Sequence, residues 1–355
     1  MSVAAYLNHI AVAVPEHDVH ETFIEFASRM LKTERNRKIF QRMVDRCHVS
    51  HRYSCINPYD DPAKPHWSGF YAANDFPGTQ ERMRHYQTQA FVLAQKALDQ
   101  LLEKAGVAAK EITHLIVTSC TGFYAPGIDL DIIRHYGLDP AIERTIIGFM
   151  GCQAGMNALK SARHIVRSHP EAQVLIVNLE LCTLHLQETD DLEKVLSFLI
   201  FADGCAASLV SAKPQGLALQ SFHSAIIPES REHITWNIGG DGFDMHLSGK
   251  VPGTISRNLP AALPQILQGG NVSNFSYWAV HPGGRTVLDA VRDGAGLKES
   301  ALGYSRHILQ NFGNMSSASI MFVLKDIMGE ASGRGCCLAF GPGVSIESML
   351  FQKVA

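Results

Sequence analysis

No stretch of roughly eighteen or more consecutive apolar residues occurs in this chain, so no segment is long enough to span a bilayer as a helix. Charge of neither sign dominates: 31 basic against 34 acidic residues leave a formal net charge of -3. Without a basic excess there is no electrostatic footprint for a nucleic-acid backbone or an anionic membrane, and neither is expected as a partner. The eight cysteines, at 47, 55, 120, 152, 182, 205, 336 and 337, include no Cys-x-x-Cys pair and keep no regular spacing. That argues against a disulfide framework and for reduced thiols in a cytoplasmic protein. His17-x-x-His20 and His48-x-x-His51 lack cysteine ligands at zinc spacing and read as surface histidines, so no metal is expected. The N-terminus, MSVAAYLNHIAVAVP, lacks both a basic leader and a small-residue cleavage site, and it reads as a first β-strand ended by Pro15.

What is present is a chain of 355 residues with 46% apolar and 18% charged, enough to bury one large core or two smaller ones. Apolar runs rich in β-branched residues, ITHLIVTSC (112–120), TIIGFM (145–150), QVLIVNLE (173–180), YWAVHPGG (277–284) and CCLAFGPG (336–343), alternate with helical patterns. This alternation predicts an α/β protein with mostly parallel sheets. Ala90, Leu93, Ala94, Ala97, Leu98, Leu101 and Leu102 fall on one face of a helix that Gly106 would stop. Residues 57–79 read as a long irregular loop, and nothing resembles a linker between independent domains.

A weak internal echo organises the chain. MGCQAGMNALKSA sets Gly-Cys before small residues and a helix, and FGNMSSASIMFVL sets Gly-Asn in the same place. One strand ends in TSCTG, another in HPGG. Two related halves packed face to face would bring Cys152, His281 and Asn314 into one cleft.

Cys152 follows the strand TIIGFM through a glycine turn to a helix start, with Ala158, Leu159, Ala162, Ile165 and Val166 able to pack on a sheet. There the macrodipole and unpaired amides would favour a thiolate and lower the thiol pKa, and a histidinium nearby would lower it further. Taken alone, Cys152 reads more readily as a small packing residue where a strand meets a helix, and so does His281 taken singly.

GCQAG around Cys152, AVHPGG around His281, NFGNMSSAS around Asn314 and the terminal AFGPGVSIE together resemble the type III polyketide synthases, the chalcone-synthase-like branch of the thiolase superfamily. The resemblance runs from about residue 10 to the C-terminus. It implies the five-layered αβαβα thiolase fold, with an N-terminal half over 1–212 carrying Cys152 and a C-terminal half over 213–355 carrying His281 and Asn314. It also implies a homodimer, acyl-CoA and malonyl-CoA as substrates, and no metal or redox cofactor. Cys152 would take the starter acyl group as a thioester, while His281 and Asn314 would stabilise the enolate formed when malonyl-CoA loses carbon dioxide. Repeated extension would end in a pyrone or resorcinol-type ring.

The resemblance assigns Arg42, Arg46 and Gly283 to coenzyme A. A third basic position of the family is Ile39 here. Without the resemblance, Arg42 and Arg46 are an ordinary i, i+4 pair on an exposed helix face. Phe201 matches one of two gatekeeper phenylalanines, and the second is Met245, which is more deformable. Cys120, Cys182 and His185 stand where plant chalcone synthases carry threonines, and Ala125 replaces a methionine that reaches across the dimer. Gly341, Pro342 and Gly343 complete the expected pocket. These departures, with ELCTLHLQETDDLEKVLSFLIFADG, resemble bacterial members that make alkylresorcinols or alkylpyrones, and as a set they favour a medium or long acyl starter; each pocket residue alone reads more readily as plain core packing. Two other readings stay open on sequence: a ketoacyl synthase III-like enzyme performing one condensation on an acyl carrier protein, and a non-catalytic acyl-CoA-binding scaffold.

Overall fold

The computed structural model describes residues 3–58, 69–72 and 74–354. Of the loop expected at 57–79, residues 59–68 and 73 lie outside the described residues. Thirteen strands are seen: β1 (Tyr6–Ala13), β2 (His17–Asp18), β3 (Tyr53–Ser54), β4 (His114–Ser119), β5 (Glu143–Gly148), β6 (Val174–Leu181), β7 (Asp203–Ser211), β8 (Leu217–Ile226), β9 (Ile234–Gly239), β10 (Gly242–Leu247), β11 (Tyr277–Val280), β12 (Gly333–Gly341) and β13 (Ser345–Lys353). The α-helices are α1 (His20–Met30), α2 (Glu34–Cys47), α3 (Thr79–Ala105), α4 (Ile128–Tyr136), α5 (Ala154–Ser168), α6 (Leu192–Phe198), α7 (Val251–Ile266), α8 (Arg285–Ala295), α9 (Gly303–Phe312) and α10 (Ser319–Met328).

Nine strands form one sheet in the order β11-β12-β13-β8-β1-β7-β6-β4-β5. The order is symmetric about the β8/β1 junction: β1, β7, β6 and β4 on one side answer to β8, β13, β12 and β11 on the other. The echo between TSCTG and HPGG acquires a spatial meaning here, because Cys120 follows β4 and His281 follows β11. The expectation of mostly parallel strands is not met. Only β4/β5, β4/β6 and β11/β12 run parallel; the other pairs of the sheet are antiparallel. Parallel pairing needs a crossover helix, and here it is confined to strands linked through helices, whereas β12 and β13 are joined by a tight turn.

Successive side chains of a strand point to opposite faces, and β4, β6 and β7 are buried at every position, so helices cover the sheet on both sides. Along β6, Leu175, Val177, Leu179 and Leu181 pack with α1, α3 and α4, while Val174 and Ile176 pack with α5 and α10. Along β12, Cys337 and Ala339 face α5 and α10, while Cys336, Leu338 and Phe340 face α7, α8 and α9. The result is helix, sheet, helix, sheet, helix, with α5 and α10 in the central layer. Helix α10 is buried at every position from Ser319 to Leu324, as a central helix must be, and reaches the surface only in its last turn at Lys325. The expected α3 face is present, with Gly106 left-handed at φ 61° as its C-cap. Among the histidines expected at the surface, His20 is instead buried and accepts a hydrogen bond from the Arg52 guanidinium at 3.0 Å.

Candidate active site

Three chain segments meet between the halves. After β5 the backbone turns through Gly151 at φ 64°, and Cys152 sits in the 3-10 turn Gly151–Gln153 that leads into α5. A side chain at Gly151 would place its Cβ 2.4 Å from Pro342 Cδ, so only glycine lets this turn close on the β12 end. Asn314 lies between α9 and α10, where its backbone pairs with Ile200 and Ala202 (N–H to Ile200 O 2.7 Å, O from Ala202 N–H 3.0 Å). Gly155 brings α5 against this segment, for a Cβ there would lie 2.6 Å from the Ser317 carbonyl oxygen. His281 caps β11, its amide held by the Leu338 carbonyl at 2.8 Å.

Cys152, His281 and Asn314 line one largely apolar cavity, together with the expected Cys120, Cys182, Phe201, Met245, Gly341 and Pro342. The side chains of Ser316 and Asn314 stand by the Cys152 thiol and favour its ionised form. The Ser316 amide in turn donates to Asn314 Oδ1 at 2.9 Å, which orients the amide of Asn314. Neither ring nitrogen of His281 has a hydrogen-bond partner among the described residues. Burial lowers its pKa to about 3, so the imidazole is neutral.

The expected fall in the Cys152 pKa is not found. Burial pushes the thiol up to about 11, against which the Ser316 and Asn314 side chains work, and the nearby Glu180 carboxyl opposes ionisation as well. Desolvation thus outweighs the helix end, and the resting pair is a thiol and a neutral imidazole. Glu180 itself is fully buried behind the cavity, accepting hydrogen bonds from the Cys120 amide and the Thr121 hydroxyl, each at 2.9 Å, and from the Ser317 hydroxyl. Burial raises its carboxyl to about 7.

Other expected positions are elsewhere. His185 is fully buried behind the wall, its Nε2 bonded to the Thr121 carbonyl at 2.6 Å and its Nδ1 accepting from the Phe243 amide at 3.0 Å, so it does not line the cavity. Ala125 is exposed on the loop before α4, outside the cavity of its own chain. Gly343 lines a separate outer groove with Pro342, Phe149 and Ile226. The cavity opens into a groove of about 770 Å³ that shares Leu247, Val251, Gly283 and Val287 with it. Arg46 and Gly283 line this groove; Arg42, exposed on α2, does not. Sequence reasoning missed Arg285, which lines the same groove as Arg46, although its place directly after HPGG marked it. It also missed Trp236, and Ser316 and Glu180 as well, although Ser316 lies in NFGNMSSAS and Glu180 opens ELCTLHLQETDD.

Family models for the chalcone and stilbene synthases match the chain twice, the N-terminal domain over residues 3–214 and the C-terminal domain over 218–355. The chain belongs to this family. It is a type III polyketide synthase, an acyltransferase of decarboxylative condensation, with the thiolase-like fold of its relatives. The alpha-pyrone synthesis polyketide synthase-like Pks18 of Mycobacterium tuberculosis is 29% identical over 369 aligned positions, covering 99% of this chain and 92% of the relative. Among solved structures, PKS-I of the brown alga Ectocarpus siliculosus superposes with a TM-score of 0.89 at 26% identity, covering 100% of this chain and 99% of that one. The C-terminal type III domain of Steely1 from Dictyostelium shares the fold at a TM-score of 0.90 and 22% identity, covering 99% of this chain and 100% of that domain. Among the described residues no helix is long and apolar enough to cross a membrane.

Proposed function

We propose that this synthase loads an aliphatic acyl group from coenzyme A onto Cys152, extends it with malonyl-CoA over several rounds, and releases a pyrone or resorcinol-type product. The observation that carries the reading is the convergence of Cys152, His281 and Asn314 on one apolar cavity that opens into a groove flanked by Arg46 and Arg285.

In the first step the neutral His281 takes the Cys152 proton, the thiolate attacks the thioester carbonyl, and coenzyme A leaves as its thiol with that proton. Malonyl-CoA then loses carbon dioxide, and its electron pair becomes an enolate whose oxygen accepts hydrogen bonds from His281 Nε2–H and Asn314 Nδ2–H. The enolate carbon attacks the Cys152 thioester, a carbon–carbon bond forms, and the Cys152 thiolate departs. A neutral imidazole suits both tasks, as base for the thiol and as donor to the enolate. Arg46 and Arg285 hold the coenzyme A phosphates. No metal or redox cofactor takes part.

The chain acts as a homodimer in the cytoplasm. Edge strand β5 presents an unpaired side with Ile146 51% exposed, next to exposed Phe123 and Met150, and such an edge is usually covered. In that dimer Ala125 would face the partner. All eight cysteines are free, which fits a reducing compartment.

Mass spectrometry of the intact protein incubated with acyl-CoAs and malonyl-CoA tests the reading. Cys152 should carry the acyl group, and products should gain several two-carbon units. Cys152→Ala should abolish both, while His281→Ala and Asn314→Ala should slow malonyl-CoA decarboxylation by about 100-fold or more. Polyketide formed by Cys152→Ala, or a gain of a single unit only, would sink it.

A further inference from the structure

The wall of the cavity beside Cys120 is a column of aromatic rings. Trp236, on β9, faces the cavity, and its Nε1–H donates to the Cys120 carbonyl at 2.6 Å. Its ring meets His185 edge-on at 5.3 Å and 87°, and Phe243 at 5.8 Å and 84°. His185 and Phe243 stack at 4.2 Å and 12°, both fully buried, so no open path runs behind the indole. Phe123 stacks on the far side of Phe243 at 6.0 Å and 24° and reaches the surface at 54% exposure. The rings therefore fill a continuous route from the acyl cavity to the outside. Each inner ring is tethered: the indole to Cys120, the imidazole to the Thr121 carbonyl and the Phe243 amide.

We propose that Trp236, backed by His185, Phe243 and Phe123, is a plug that ends the acyl pocket and restricts the starter to a compact acyl group, excluding long straight fatty chains. This rests on the acyl-loading role of Cys152 proposed above and narrows the medium or long starter expected from sequence. Free space in the cavity is about 60 Å³, on the order of five water-sized groups, so a long tail enters only where a side chain yields. Met245, on the same cavity, is unbranched and deformable, and it leaves room for the growing chain. Trp236 does not yield in this way. Swinging it out would leave its N–H and the Cys120 carbonyl unpaired and would break both of its ring contacts, with His185 and with Phe243.

The test is competitive acylation of the full-length enzyme by an equimolar mixture of hexanoyl-, decanoyl- and palmitoyl-CoA, read as the mass added to Cys152. The wild type should favour hexanoyl over palmitoyl by about tenfold or more, and Trp236→Ala should move that ratio toward palmitoyl by at least about tenfold. Trp236→Phe, which keeps a ring in the route, should stay close to the wild-type ratio. Equal use of palmitoyl and hexanoyl by the wild type overturns the plug, whatever the variants do. So does an unchanged ratio in a folded Trp236→Ala. Acylation by none of the three overturns instead the loading chemistry on which the plug rests.

Discussion

Replacing Glu180 by glutamine isolates the cost of holding a carboxyl in the dry layer behind Cys152. Glu180 is fully buried, its oxygens accept three hydrogen bonds, and among the described residues no lysine or arginine pairs with it. Burial raises its pKa from 4.5 to about 7. Below pH 4.5 the folded and unfolded chains both carry the proton. Between there and about pH 7 the unfolded chain ionises while the folded one keeps its proton, so stability is lost as pH rises and the loss is complete above about pH 7. At about 1.4 kcal/mol per pH unit, the loss is about 3 kcal/mol. Glutamine has the shape of the protonated acid: its Oε1 can accept from Cys120 and Thr121, and its amide can donate to the Ser317 hydroxyl. Urea unfolding at fixed protein concentration should therefore show Glu180→Gln gaining about 3 kcal/mol on the wild type between about pH 4 and about pH 8. Other titrating groups are common to both chains and cancel in the difference. The same change removes a carboxylate that opposes Cys152 ionisation, so iodoacetamide should alkylate Cys152 faster in the variant above about pH 7. A stability difference that does not change with pH would refute the assignment of a raised Glu180 pKa.

Gly151→Ala should destabilise the fold by about 2 kcal/mol or more, from the left-handed backbone and the Cβ driven against Pro342, and should displace Cys152 so that acylation falls too. A loss under about 0.5 kcal/mol in urea unfolding would show that the turn tolerates a side chain. Ile146→Lys puts a charge on the exposed edge of β5 and should convert the proposed dimer to a monomer in light scattering after size exclusion; a dimer left intact would take β5 out of the interface. Arg285→Glu should raise KM for acyl-CoA by about tenfold or more, an effect that added salt reduces, while leaving use of an N-acetylcysteamine thioester, which has no phosphates, unchanged. Equal damage with both thioesters would make Arg285 a structural residue.

How far the sequence reaches differs from element to element. Helix α3 was legible because its apolar positions recur with the helical period and Gly106 ends it, both local properties. Six of the nine strands of the sheet, β1, β4, β5, β6, β11 and β12, were legible as apolar runs, but the strand directions were not, because parallel or antiparallel pairing depends on which strands the chain reconnects. Cys152, His281 and Asn314 stood out because each sits in a short motif at an element boundary, where chain geometry is restricted.

What the sequence by itself determined is therefore the alternation of strands and helices, the family and the three residues that meet in the cavity. The tertiary structure alone decided their electrical state. A helix start favours a thiolate, but burial keeps Cys152 a thiol and His281 neutral, because desolvation depends on everything packed around a group and not on its neighbours in the chain. It also decided the shape of the pocket. His185 and Ala125 carry no sign of where they point, and only the packed fold sets one behind the Trp236 wall and the other on the surface. Trp236 and Cys120 lie 116 positions apart in sequence, and the hydrogen bond that joins them exists only once the β9–β10 ribbon has closed over the cavity.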